Sequence, residues 1–70
     1  MALNDLPQKL MADVTMALEE AHEAAIQAQS PKLCGLMFEQ LVVLTIANAR
    51  KAIELAESAL EAHRKSQPDS

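Results

Sequence analysis

Residues 36–49 read LMFEQLVVLTIANA, and the way their apolar positions recur decides the fold. Only Glu39 in this stretch is charged, and neither Gly nor Pro interrupts it. Followed toward the C-terminus, Met37, Phe38, Leu41, Val42, Leu44, Ile46, Ala49, Ala52, Ile53, Leu55, Ala56, Ala59 and Leu60 fall on one side of a helix. Together they cover an arc of about 200° at the ideal twist of about 100° per residue. A helix that packs on one neighbour needs a stripe only a little over 100° wide. The wider arc predicts a helix, from about residue 31 to about residue 65, that touches more than one neighbour, and a fraying tail at 66–70.

Upstream, a cleaner amphipathic pattern runs from about residue 6 to about residue 29. Leu6, Leu10, Val14, Ala17, Leu18, Ala21, Ala24, Ala25 and Ala28 share one face, while Lys9, Asp13, Glu19, Glu20, Glu23 and Gln27 occupy the other. Asp5 is a suitable N-cap, and Pro7 is tolerated in the first turn. Because the second half of the apolar face is alanine, a neighbouring helix can approach closely there.

Ser30-Pro31 separates the two patterns. The residue before a proline is pushed out of the α region, so the first helix must stop by Ser30. Ser30 as N-cap and Pro31 as first helical residue would start the second helix at once, placing Cys34 on the face of Leu41 and Ala52. A looser loop over 30–35 is the alternative. The expected fold is therefore all-α: one domain, 1–70, built as a two-helix antiparallel hairpin.

A chain of 70 residues rarely builds a core worth more than roughly 3–5 kcal/mol without a disulfide, a metal or oligomerisation. The lone Cys34 excludes an internal disulfide and fits a reducing cytoplasm. With first and second helices of about 24 and 34 residues, the end of the second would overhang the first by roughly 15 Å at 1.5 Å per residue. Residues past about Glu54 would then need cover, for which a second copy is the economical source. This predicts a homodimer in a four-helix arrangement, with Leu41, Val42, Thr45, Asn48, Ala52, Leu55, Ala56, Ala59 and Leu60 at its interface. Asn48 is a candidate for fixing register there, or for facing a wet gap. Thr45 can bond a carbonyl one turn back in its own helix.

Chemistry-bearing patterns are sparse. Glu19-x-x-His22 has the spacing of a di-iron bundle motif, yet the second helix carries no matching pair. Cys34 has no visible base or oxyanion site beside it, and the simpler expectation is a small buried hydrophobe at the turn. No phosphate loop, serine triad pattern or paired zinc motif occurs. The reading is of a non-enzyme without cofactor or metal. No apolar run approaches 18 residues, and no basic segment leads an apolar one at the N-terminus, so neither a membrane span nor a signal peptide is expected.

The net charge of −4 lies in the first half, where Asp5, Asp13, Glu19, Glu20 and Glu23 face only Lys9. Such a chain is a poor nucleic-acid binder, because that affinity rests on neutralising phosphates. The acidic face of Asp13, Glu19, Glu20 and Glu23 would instead suit a basic protein surface. Ile26, Leu36 and Val43 fall outside the main apolar faces, within about three turns of Ser30-Pro31, and with Met37 and Phe38 they are candidates for an exposed patch. Phe38, the only aromatic residue, fits either core or patch. Arg50 points off the apolar arc, near Glu54 and Glu57, where an intrahelical ion pair is the plain expectation.

Dimeric helical hairpins of this size resemble small plasmid copy-control proteins that grip RNA loops, but those need a basic face. In length, helix count and acidity the chain is more similar to small phage-encoded quorum-sensing anti-activators, two-helix dimers that bind a bacterial transcription factor and block it. The similarity extends over roughly the whole chain without a diagnostic motif, so no functional residue is carried across. It implies a cytoplasmic inhibitor that occludes the DNA-binding domain of a LuxR-type activator, with a pilus-assembly ATPase as another possible host target. The alternative expectation is a small secretion or assembly chaperone whose long helix is covered by a client.

Overall fold

The structure, a computed structural model, describes residues 5–66. It is all helical: α1 spans Asp5–Gln27 and α2 spans Gly35–Ser66, joined by residues 28–34 and packed on each other as an antiparallel hairpin. The expected lead-in at residues 1–4 and the tail at 67–70 lie outside the described residues.

The helix boundaries differ from the sequence expectation at the turn. α1 ends at Gln27, and its last carbonyls are satisfied by a tightening chain. Ala28 N–H donates to Ala24 O, Gln29 N–H to Ile26 O and Ser30 N–H to Gln27 O, at 3.0, 3.0 and 3.2 Å. Ser30 then does behave as a cap, its Oγ accepting from Lys32 N–H at 3.3 Å. The turn it opens does not propagate. A first turn fixes several residues for one hydrogen bond, and a glycine in the next turn costs about 1 kcal/mol relative to Ala.

α2 starts four residues later than expected, with Cys34 as its cap. Phe38 N–H donates to Cys34 O at 3.0 Å, and Met37 N–H points at Cys34 Sγ at 3.5 Å. Cys34 is exposed rather than buried, because it precedes the helix and never joins the face of Leu41 and Ala52. At its other end α2 runs to Ser66, whose Oγ donates to His63 O, and His63, Arg64 and Lys65 sit where the helix dipole favours cations.

The core between the helices is narrow. Its buried apolar residues are Val14, Ala17, Ala21, Ala24, Ala52 and Ala59. Val14, Ala17 and Ala52 form one cluster, with Leu55 and Ala56 packed against it. Each alanine methyl contributes about 0.8 kcal/mol when buried. The main return of so small a seam is therefore close approach of the two backbones rather than buried bulk.

This register also moves the overhang. Ala17 stands opposite Ala52, so α1 reaches back to the level of about His63, and Pro7, Gln8 and Met11 share a groove with Ala56, Ala59, Leu60 and His63. The end of α2 is covered by its own hairpin, and the argument for a second copy drawn from an uncovered C-terminal end does not hold. The surplus length of α2 lies instead at the turn, where 35–40 extend past the end of α1.

Candidate interaction surfaces

Helical phase divides the hairpin into two broad faces and two narrow edges. One broad face carries Met11 and Leu18 from α1 with Val42, Ile46, Ile53 and Leu60 from α2. The groove shared by Pro7, Met11 and Leu60 shows that the two rows lie on the same side. Ile46, Ile53 and Leu60 are 47, 57 and 48% exposed, and Met11 and Leu18 are similarly open. Along α2 the row Val42, Ile46, Ala49, Ile53, Ala56 and Leu60 alternates steps of four and three, the spacing of a coiled-coil seam.

The opposite face is mixed. Asp13, Met16, Ala17 and Glu20 of α1 meet Lys51 and Leu55 of α2 around a shallow groove. Asp13 and Glu20 are thus brought together beside a cation. Glu23 lies further along the same side, its Oε2 accepting from Gln27 Nε2 at 3.3 Å. Glu19 projects from the outer edge of α1 and stays apart from the groove. Met16 and Lys51, both exposed, complete this surface and were not anticipated.

The patch expected at the turn does not assemble. Ile26 projects from the outer edge of α1 and Val43 from the outer edge of α2, so the hairpin separates them. Leu36 is exposed near the N-terminus of α2, and Phe38 is 50% exposed, which removes it from the core. Val43 and Arg50 do share a site, an open groove along α2 with Ile46, Ala47, Lys51 and Glu54. Arg50 makes no ion pair with Glu54 or Glu57. Among the described residues the carboxylate–ammonium contact is Lys65 Nζ to Glu61 at 3.4 Å, fully at the surface.

Of the residues expected at a dimer seam, Asn48, Ala52 and Ala59 are buried by the chain's own hairpin, and Leu41, Val42, Thr45, Leu55 and Ala56 are half-buried in it. Only Leu60 is largely open. Asn48 is 9% exposed and donates from Nδ2 to Leu44 O at 3.1 Å, while Thr45 Oγ1 donates to Leu41 O at 2.8 Å. Both polar side chains are satisfied within α2. The open surface beside them belongs to Met11, Leu18, Ile46 and Ile53. On α2 this open row follows the alternating four-three spacing.

Among the described residues no group of three or more His, Cys, Asp or Glu is placed to hold a metal ion. Among them, too, no helix is long and apolar enough to cross a membrane. Compared with protein-family models, with curated proteins and with solved structures, the chain matches none. The fold and its surfaces define a small all-α helical hairpin with one apolar broad face and one mixed broad face that carries Asp13 and Glu20.

Proposed function

We propose that the chain is a non-enzymatic protein–protein interaction module, a homodimeric inhibitor that occludes a basic surface of a partner protein. The observation that supports this reading is the distribution of bulk. Among the described residues the hairpin buries one valine and five alanines, yet leaves thirteen large apolar side chains about half exposed or more. Where several of them share one face, as Met11, Leu18, Ile46, Ile53 and Leu60 do, the row is the kind of exposed apolar surface that marks an interaction site. The acidic groove around Asp13 and Glu20 supplies the complementary charge for a cationic partner.

The resemblance to phage anti-activators makes the DNA-binding domain of a LuxR-type activator the first target to test. Titration calorimetry of the purified chain against that domain tests it, with Asp13→Lys/Glu20→Lys as the control. Specific binding that the double variant loses, and that operator DNA competes away, is the expected result. No binding to this domain, together with no stoichiometric partner recovered from bacterial lysate, counts against the inhibitor reading.

The open groove of Val43, Ile46 and Ala47 on α2 favours a second reading, an assembly chaperone holding an apolar client. Light scattering separates the two. A discrete dimer supports the inhibitor, and a monomer or polydisperse population supports the chaperone.

A further inference from the structure

The proposed module reading leaves open which surface joins two copies and in what direction, and the inference below rests on that reading. We propose that the broad face formed by Met11, Leu18, Ile46, Ile53 and Leu60 packs on the same face of a second copy. The two copies run antiparallel across a two-fold axis beside Ile53.

Three features point to a second copy. The first is self-complementary spacing. Ile46 and Leu60 lie seven residues either side of Ile53, so inversion about Ile53 sets Ile46 of one copy on Leu60 of the other. On α1, Met11 and Leu18 are symmetric about the 14–15 step, which with Ala17 opposite Ala52 lies level with residues 54–55, one to two residues from Ile53. An axis between these levels brings Met11 of one copy close to Leu18 of the other while keeping Ile46 close to Leu60, as an isologous interface requires.

The second feature is charge. On the outer flank of the α2 row stand Arg50, Glu57 and Arg64, one every seven residues. In the antiparallel arrangement Arg50 of one copy lies within one residue of the level of Glu57 of the other, twice per dimer. A parallel arrangement would set Arg50 on Arg50, Glu57 on Glu57 and Arg64 on Arg64. Opposite charges at such flanking positions set orientation. The acidic residues Asp13, Glu19, Glu20 and Glu23 all lie off this face by helical phase, so no carboxylate row of α1 opposes its copy.

The third is area. With the axis beside Ile53, α2 overlaps its copy from about residue 40 to Ser66, about 39 Å at 1.5 Å per residue, across a Cα envelope 19 Å wide. That overlap is close to the roughly 800 Å² per partner that stable interfaces bury. Packing this face inward leaves the acidic groove outward on both sides of the dimer.

Cysteine cross-linking in a Cys34→Ala background tests the geometry. Under mild oxidation Ile53→Cys should link to itself across the axis. Ile46→Cys alone should not, because its copy lies about 21 Å along the helix at 1.5 Å per residue, far beyond the roughly 7 Å Cα limit for a disulfide. Mixed with Leu60→Cys it should link. Self-linking at all three positions would mean a parallel dimer and overturn the proposal, as would linking at none.

Sedimentation supplies the second measurement, independent of any partner. Arg50→Glu and Glu57→Arg should each raise the dimer dissociation constant about tenfold, and the double reversal should restore it. A wild-type chain that stays monomeric at high concentration sinks the dimer even if a partner binds. A correctly cross-linked dimer with no partner leaves this geometry standing and removes the inhibitor reading instead.

Discussion

Ala17 of α1 and Ala52 of α2 are each 3% exposed and pack into the same cluster, so the hairpin closes at its middle on two methyl groups. That contact sets the register from which the positions of Leu60, Met11 and the acidic groove all follow. It also leaves no room for a larger side chain. Ala52→Leu should therefore overpack the seam and destabilise the hairpin by about 1–3 kcal/mol, read as a lower midpoint in urea. An unchanged midpoint would show that the helices can separate at that level without cost.

Gly35 opens α2 with no atom within 4 Å of the place a Cβ would take, and no glycine among the described residues has positive φ. Its conformational freedom is thus unused in the fold. Gly35→Ala should stabilise the chain by about 0.5–1 kcal/mol, mostly by restricting the unfolded state. Thermal melting checks this, and destabilisation would mean the turn needs a conformation that alanine avoids.

Phe38 has half its surface in solvent. Removing a core phenylalanine costs about 3–5 kcal/mol, and this one should cost well under about 1 kcal/mol. Phe38→Ala with a preserved melting curve and weakened partner binding assigns the ring to an interface. A loss near the core value would place it against something that the single hairpin does not contain.

Asn48 bonds the carbonyl of Leu44, which as a helical carbonyl also serves the main-chain N–H one turn on. Asn48→Ala therefore orphans no buried group, and stability should change by less than about 1 kcal/mol in either direction. A loss above about 2 kcal/mol in the dimer, absent in the dissociated chain, would reveal a cross-subunit hydrogen bond. That outcome is the one in which Asn48 fixes register.

The two helices were legible because their apolar residues repeat at helical spacing for six or more turns. The start of α2 was not. Ser30-Pro31 carries every local sign of a helix start, and Ser30 Oγ does accept from Lys32 N–H, but the choice between extending that turn and restarting at Gly35 depends on packing. The sides of the hairpin on which the candidate residues fall were hidden for a related reason. An arc of about 200° does not say which of its edges meets the first helix. Small residues such as Ala52 and Ala59 looked free to join two copies, when their size is what lets α1 come close enough to cover them. Ile46 and Ile53, read as part of one broad arc, are the residues that this close approach leaves outside. The separation of Ile26 from Val43 was likewise hidden, because nearness in sequence to a turn says nothing about which side of it a residue takes.

The alanine seam has a methodological consequence. Among the described residues, five of the six buried apolar positions already carry the residue to which scanning mutagenesis would convert them, with Val14 the exception. An alanine scan of this chain is therefore blind to its own hinge of closure and reports almost wholly on outward-facing rows. A scan toward bulk, placing valine or leucine at Ala17, Ala21, Ala24, Ala52 and Ala59 in turn, is what would map where the two helices touch.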